Sequence, residues 1–303
     1  MSFEKSRPHT ARNKRILKLT AFTALSCALL YLIISTSLAG VYAYFLTHPA
    51  CMTNPPRIPG LPSPEEHWLS TSDGLSLRTW YYPGDNGAAI LALGGMGGAL
   101  GENLPPVEFL IHAGFGVLQI DSRACARPAS VVTLGAKEVL DAEAGLSFLR
   151  NRPEVKKIGI FGFSMGAATA VRTAARQVDI AAVVAEGGYF NLGEDFVEPE
   201  SQINLLYRTF LYTIAGAYQF FSSVNPWEVS PIDDLPSISP RPLLLIYGEG
   251  EAGSGRALAQ FDAARKPKTL WIVPGGAHGS NFAASPGEYQ SRIVEFFNET
   301  LQP

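Results

Sequence analysis

Net positive charge is missing from most of this 303-residue chain. Residues 1–18 hold six Lys and Arg against one acid, a net of +5, out of 24 basic and 27 acidic residues in total. The remainder therefore has 18 basic and 26 acidic residues, a net of −8. Because nucleic-acid binding needs a basic surface, this balance excludes nucleic acid as a partner.

Cysteine is also scarce, with Cys27, Cys51 and Cys125 and no C-x-x-C spacing. A structural zinc site is therefore not expected, and we predict that the protein needs no metal. Cys27 lies inside an apolar run, which leaves Cys51 and Cys125 as the pair able to form a disulfide in an oxidising compartment. The sequence leaves that disulfide open.

Formal charge is absent from 29 consecutive residues, 19–47. As a helix this run would be about 43 Å long, more than the roughly 30 Å hydrocarbon core of a bilayer. Aromatic rings occur towards its C-terminal side, where a membrane interface would lie, at Tyr31, Tyr42, Tyr44 and Phe45. The pattern predicts one transmembrane anchor over 19–47, through which the protein associates with the membrane.

The charge flanking the anchor predicts its orientation. The basic tail 1–18 should stay cytoplasmic, so the rest of the chain should be exported. A cleaved signal peptide is the alternative, because small residues at Ala39 and Ala43 resemble cleavage sites. The apolar region of a signal peptide usually spans about 7–15 residues, which is shorter than this run and favours a retained anchor.

Beyond the anchor, residues 48–66 contain six prolines and are typical of a semi-rigid linker. A single domain is then expected over 67–303. The first two of its strands alternate and should pair antiparallel, whereas the later ones are continuous apolar runs, as in a parallel sheet. The predicted strands are 67–71, 76–82, 88–93, 116–121, 157–163, 180–185, 242–247 and 269–273.

Helix-length segments separate these strands, at 137–151, 165–177 and 288–297 among others. The alternation predicts an α/β fold with a mostly parallel sheet and helices on both faces. Residues 191–238 interrupt it with an aromatic, apolar helix candidate, which we interpret as a small helical cap over the sheet. Sites in such sheets lie at the carboxyl ends of the strands.

One predicted strand runs directly into Gly162-Phe163-Ser164-Met165-Gly166, and a helix follows. A G-x-S-x-G sequence between a strand and a helix is a nucleophile elbow, in which a strained turn exposes the serine. Ordinary Gly-rich strand-to-helix turns can look similar, so the motif gains its weight from that position. We predict Ser164 as a nucleophile.

A serine nucleophile needs a base, and that base needs a carboxylate to orient it. Among five histidines, His278 alone follows the elbow, just after the last predicted strand. The acid should follow the strand before it, where Glu251 is favoured and Glu249 competes. Glu186, at the end of an earlier strand, is a third option.

The oxyanion of an acyl-transfer intermediate must be held by preorganised N–H donors. The amide of Met165 should supply one, and the amide of Met96, in the Gly94-Gly95-Met96-Gly97-Gly98 loop, the other. This loop could also cradle a phosphate. It lacks a Gly-Lys-Ser/Thr ending and a G-x-G-x-x-G helix start, so no nucleotide cofactor is expected.

With these motifs, residues 65–300 resemble the α/β-hydrolase superfamily, most closely its membrane-anchored, serine-aminopeptidase-like or Bem46-like hydrolases. The segments 71–75, 80–83, 162–166, 241–248 and 274–278 carry the likeness. The resemblance implies an eight-stranded α/β-hydrolase fold. It also implies hydrolysis of an ester, thioester or peptide bond by Ser164, His278 and Glu251, without a cofactor.

This chain departs from the family pattern at three places. Gly94 replaces the usual His of a His-Gly pair, the Asp-x-Arg-Gly-x-Gly loop appears as residues 121–126 without its glycines, and the acid is Glu rather than Asp. A small-molecule or lipid-like acyl compound is the expected substrate. Alternatives are a peptidase, whose substrate amine would meet Glu194, Asp195, Glu198 or Glu200, and an inactive hydrolase-like binding protein.

Overall fold

A computed structural model describes residues 9–51, 60–61, 63–96, 107–197, 204–253 and 256–301. Its centre is an eight-stranded sheet in the order β1-β2-β4-β3-β5-β6-β7-β8. The strands are β1 (Glu65–Ser70), β2 (Ser76–Tyr82), β3 (Ala88–Leu93), β4 (Gly116–Ile120), β5 (Lys157–Phe163), β6 (Ile180–Glu186), β7 (Leu243–Gly248) and β8 (Lys268–Val273).

The sheet is antiparallel on one side and parallel elsewhere. Strand β2 pairs antiparallel with both β1 and β4, and the other neighbours are parallel. This arrangement confirms the predicted mostly parallel, eight-stranded sheet. Strand β1 begins at Glu65, two residues inside the stretch interpreted as linker, because Glu65 and Glu66 continue its alternation of half-buried and exposed residues and pair with Tyr81 and Trp80 of β2.

Helices cover both faces of the sheet and continue beyond it. They are α1 (His9–Thr47), α2 (Glu108–His112), α3 (Glu138–Arg150), α4 (Met165–Arg176), α5 (Leu192–Val197), α6 (Leu205–Ser222), α7 (Pro231–Asp234), α8 (Glu249–Ala252), α9 (Arg256–Ala263), α10 (Asn281–Ala284) and α11 (Pro286–Leu301). Helices α5, α6 and α7 lie between β6 and β7, within the region expected to form a cap.

Two apolar layers hold the sheet between its helices. On one face Leu91 and Ile160 pack with the Ala-rich helix α4, and on the other Ile90 and Phe161 pack with Phe297 of α11. Adjacent residues of one strand therefore point into different layers. This is why the parallel strands are apolar throughout.

Helix α1 is longer than the predicted anchor and ends against the domain. It begins at His9, so part of the basic tail is helical. Residues Arg12–Thr47 are long and apolar enough to cross a membrane, a property that a signal sequence shares. Near the end of α1, Ala39 and Ala43 are fully buried, and the Val132 amide donates to the Thr47 carbonyl over 2.8 Å.

The loop that departs from the family pattern fastens the segment after α1. Cys125 in that loop is joined to Cys51 by a disulfide, the bond that the sequence left open. Two residues earlier, the completely buried Arg123 side chain forms ion pairs with Asp73 (3.2 Å) and Asp141 (2.7 Å). Ion pairs and a covalent bond thus hold a loop in which the glycines are replaced.

Candidate active site

Ser164 is the single residue between strand β5 and helix α4. Its backbone has φ 55° and ψ −118°, a combination that a side-chain-bearing residue rarely adopts. The Ser164 amide donates to the Glu186 carbonyl on neighbouring strand β6 over 2.8 Å, which helps to hold the turn. Such strain persists only where the surrounding structure enforces it, and it concentrates at functional sites.

The two glycines of the elbow are required by backbone contacts. A Cβ atom at Gly162 would lie 2.1 Å from the Gly166 carbonyl oxygen. A Cβ atom at Gly166 would lie 2.2 Å from the Leu93 carbonyl oxygen, at the end of β3. Neither backbone can move without shifting a central strand, so the motif is a packing requirement of this turn.

His278 reaches Ser164 from the loop after β8. Its Nε2 lies 3.0 Å from the Ser164 Oγ, and its Nδ1 lies 2.7 Å from the Glu251 Oε1. The hydroxyl, the imidazole and the carboxylate therefore form a continuous hydrogen-bonded row. This row can transfer a proton from the serine to the imidazole while the carboxylate fixes the tautomer.

Glu251 is oriented by the short helix that follows β7. It is the third residue of α8, and its Oε2 accepts a hydrogen bond of 2.9 Å from the Gly248 amide at the start of that helix. The first turn of a helix thus directs the carboxylate back towards the strand end. Its other oxygen, Oε1, accepts the bond from His278.

The other two acids weighed from the sequence have different partners. Glu249 accepts a 2.9 Å bond from the Gly275 amide and so supports the loop that carries His278. Glu186 is buried and accepts bonds from the Asn281 side-chain amide (2.9 Å) and the Tyr289 hydroxyl (2.5 Å).

The electrostatics of the row favour an imidazole that readily takes up a proton. The hydrogen bond that His278 donates to Glu251 raises the pKa of His278 above its ordinary 6.5, against the opposing effect of burial. Burial raises the pKa of Glu251, but hydrogen bonds from His278 and the Gly248 amide outweigh it and leave that pKa below its ordinary value. Burial raises the pKa of Glu186.

The predicted oxyanion donors lie beside the serine. Met165 is the first residue of α4, and Met96 follows β3; both border a cavity with Ser164. A Cβ atom at Gly95 would come within 3.3 Å of the Ser164 Cβ, so the loop passes very close to the nucleophile. Gly97 and Gly98 lie outside the described residues. The oxyanion role of the two amides stays a prediction.

The cavity above Ser164 has a volume of about 510 Å³ and a largely apolar lining. Its cap side is formed by α5 and α6, including Phe196, Leu211 and Ile214. The sequence did not indicate one part of the wall: Tyr42 and Leu46 of α1 also line the cavity. An apolar helix segment has the same composition whether it faces lipid or protein, so no signal for this contact exists in the sequence.

The acidic cap residues do not form a free amine-binding cluster where the structure describes them. Asp195 borders the cavity, and its carboxylate forms an ion pair with Arg256. Glu194 is exposed on the same short helix, α5. Glu198 and Glu200 lie outside the described residues.

Within the described ranges, one group of side chains has the spacing of metal ligands. The donor atoms of Cys51, Asp121 and Cys125 lie within 4.8 Å of one another. The two sulfurs are joined to each other, so they cannot act as thiolate ligands while the disulfide is present.

Comparison with known proteins agrees with the fold. The Dienelactone hydrolase family model matches residues 119–217, which include the elbow. A polyketide transferase, ATR5 of Stachybotrys chlorohalonatus, is 30% identical over 291 residues, covering 78% of this chain and 98% of that protein. The uncharacterized protein YfhR of Escherichia coli is 24% identical over 254 residues, covering 80% of this chain and 83% of that protein.

Among solved structures, the Pyrococcus furiosus esterase Pf2001 is similar with a TM-score of 0.61 and 26% identity. The match covers 82% of this chain and 99% of the esterase. These relatives share the domain that carries Ser164, and the esterase and the hydrolase family indicate acyl-bond hydrolysis. The chain therefore belongs to the α/β-hydrolase superfamily of serine hydrolases.

Proposed function

We propose that this enzyme is a membrane-anchored serine hydrolase that cleaves an ester or thioester of an apolar acyl group through a Ser164–His278–Glu251 triad. The observation that carries the proposal is the row of contacts at 3.0 Å and 2.7 Å joining the three side chains. The dienelactone hydrolase match and the esterase likeness support acyl hydrolysis in particular.

In the acylation step, the Ser164 Oγ forms a bond to the substrate carbonyl carbon while its proton passes to the His278 Nε2. The amides of Met96 and Met165 hold the negative oxygen of the tetrahedral intermediate. The intermediate then releases the alcohol or thiol, which takes the proton from His278 and leaves an acyl-serine.

Water completes the cycle by the reverse pathway. His278 removes a proton from a water molecule, which attacks the acyl carbon and forms a second tetrahedral intermediate. Its collapse breaks the bond to the Ser164 Oγ, which regains the proton from His278, and the free acid leaves. Glu251 remains ionised throughout and stabilises the imidazolium.

The membrane location is part of the proposal. The apolar helix Arg12–Thr47 and the +5 charge of residues 1–18 support a single crossing with the N-terminus cytoplasmic and the catalytic domain exported. Ala39 and Ala43, the small residues at which a leader would be cleaved, are both fully buried. Packing of this kind favours a helix that the folded protein retains.

The test is labelling of the detergent-solubilised protein with a fluorophosphonate probe. We expect labelling of the native chain and its loss in Ser164→Ala and in His278→Ala. Ser147→Ala and His112→Ala change the same residue types at exposed positions and serve as matched controls that should label normally. A folded native protein that does not react with the probe would favour the inactive, binding-protein alternative.

A substrate screen then separates ester, thioester and peptide hydrolysis. Peptidase activity is the second candidate, since Asp195 borders the cavity. Its ion pair with Arg256 competes with a substrate amine, so we expect esters and thioesters to be cleaved faster than peptides. Faster cleavage of a peptide with a free amino terminus would reverse this order.

A further inference from the structure

Helices α1 and α6 run side by side in the same direction. Near the beginning of α6, the Tyr31 hydroxyl donates to the Leu206 carbonyl. Near its end, the ring of Tyr44 lies edge-on to the ring of Phe221, with centroids 5.7 Å apart. Between these points the fully buried Ala39 packs into α6. The two helices therefore form one apolar unit about fifteen residues long, roughly 22 Å at 1.5 Å per residue.

The contacts define how deep α6 lies relative to a membrane crossed by α1. About 20 residues cross the hydrocarbon core, so a crossing that begins at Leu19 ends near residue 38. Tyr31 then lies within the hydrocarbon, and so does its neighbour Leu206. Leu205 and Leu206 are 79% and 59% exposed, respectively, so the first residues of α6 offer an apolar surface at that depth, beside the exposed Arg208.

The cavity overlaps the end of that crossing, because on α6 its lining starts at Tyr207, next to Leu206. Tyr42 and Leu46, one to two turns further along α1, form part of its wall, and Leu211 and Ile214 of α6 face them. Asp195, a charged residue of the lining, already has Arg256 as a partner. A hydrocarbon chain is the occupant that this lining fits.

The wall formed by α1 is fixed to the catalytic domain. The Thr47 carbonyl accepts the Val132 amide, and the Cys51–Cys125 disulfide follows four residues later. The end of α1 is therefore attached to the domain that carries Ser164 by both a hydrogen bond and a covalent bond.

We infer that the end of the anchor helix forms the part of the active-site wall that contacts the acyl chain of the substrate. The site takes esters of long-chain acyl groups, which enter from the bilayer along α1 and α6. Tyr42 and Leu46 are then specificity-determining residues. The inference rests on the proposed function, because it assigns a substrate class to the same serine.

The first experiment measures kcat/KM for a four-carbon and a twelve-carbon nitrophenyl ester in detergent. Leu46→Trp adds volume to the wall, so the ratio of twelve-carbon to four-carbon activity should fall at least about tenfold. Tyr42→Ala removes volume from a half-exposed position and should raise the ratio. Leu30→Trp changes an exposed residue of α1 far from the cavity and should leave the ratio unchanged.

The outcomes separate the inference from the proposed function. Native protein that neither labels with the fluorophosphonate nor cleaves the four-carbon ester would overturn both. Active variants with unchanged ratios would overturn the inference alone. If Leu46→Trp does not label because it misfolds, Tyr42→Ala decides, since its milder change keeps the buried part of the helix contact intact.

The second experiment tests the route from the bilayer, with the twelve-carbon ester embedded in phosphatidylcholine vesicles. Leu206→Glu puts a charge on the membrane-facing end of α6. It should lower activity on the embedded ester, relative to the soluble four-carbon ester, about tenfold. Val178→Glu places the same charge at an 81% exposed apolar position at the opposite end of the sheet. If the ratio of embedded-ester to soluble-ester activity is the same in Leu206→Glu and Val178→Glu, entry from the bilayer is overturned.

Discussion

At the level of single residues, the candidate site depends on which atom each carboxylate touches. Glu249, Glu251 and Glu186 are close together, but Glu251 is the one within 2.7 Å of the His278 ring nitrogen. The sequence favoured Glu251 because a strand needs about three residues of turn before the chain points back. In the structure those residues form the first turn of helix α8, and the Gly248 amide holds the Glu251 carboxylate in place by a hydrogen bond.

The first prediction concerns the identity of the acid. Glu251→Gln should lower kcat/KM by about 10²–10⁴-fold, because the amide fixes the imidazole less well and does not stabilise the imidazolium. Glu249→Gln is the matched control and should retain most activity, since Glu249 bonds to a loop amide rather than to the imidazole. Steady-state kinetics on a short ester would check both. A larger loss in the control variant would assign the acid to Glu249.

The second prediction is a pH dependence. The base must be neutral, so activity is present above the pKa of His278 and is lost as the pH falls through it. Since the hydrogen bond to Glu251 raises that pKa, the acidic limb of the kcat/KM profile should have its midpoint above 6.5. Removing the charge with Glu251→Gln should move the midpoint to lower pH. A midpoint that does not move would mean that Glu251 does not control the imidazole.

At the level of secondary-structure elements, the turn between β5 and α4 depends on close backbone packing. Gly166→Ala would put a Cβ atom 2.2 Å from the Leu93 carbonyl oxygen, which forces α4 away from β3. We expect a loss of at least about 2–3 kcal/mol in the free energy of unfolding, together with loss of probe labelling. Gly216→Ala on α6 is the control.

That control differs because a Cβ atom at Gly216 has nothing within 4 Å and Gly216 lies inside a helix. Alanine there should be neutral or stabilising by up to about 1 kcal/mol. Denaturant unfolding of both variants makes the comparison. Equal stabilities would show that the elbow glycines are not required by packing.

A further prediction at this level concerns the disulfide that follows α1. It closes a loop of 74 residues, so its removal by Cys125→Ser should cost about 2–4 kcal/mol of stability. Cys27→Ser, at an exposed position on α1, should have little effect. Thiol titration of the unfolded, unreduced protein should find one free thiol. Three free thiols would show that the bond does not form.

At the level of the whole molecule, the sequence predicted the sheet well and the cavity only in part. Strands β2, β3 and β5 have the predicted bounds because their apolar runs are bordered by turn residues. The Ser164–His278 contact followed from motif and order. The cavity wall did not, because Tyr42 and Leu211 are distant in the chain and the apolar composition of α1 does not tell lipid from protein neighbours.

The partners of the buried charged residues could not be predicted from the sequence either. The loop 121–126 departs from the family pattern because its two glycines are replaced. In the fold, Arg123 fills that loop and pairs with Asp73 and Asp141, residues 50 and 18 positions away. Long-range partners of this kind have no periodicity in the chain. The ion pairs that hold the loop without its glycines are therefore visible only in three dimensions.

The order in which the parts of the site occur along the chain has a consequence for its biosynthesis. Tyr42 borders the cavity, whereas His278 follows Ser164 by 114 residues. A nascent chain of 270 residues would already contain Ser164 and Glu251 but would lack the base. Chains that end before His278 therefore carry an inert serine, and reactivity is acquired only once synthesis has passed this residue.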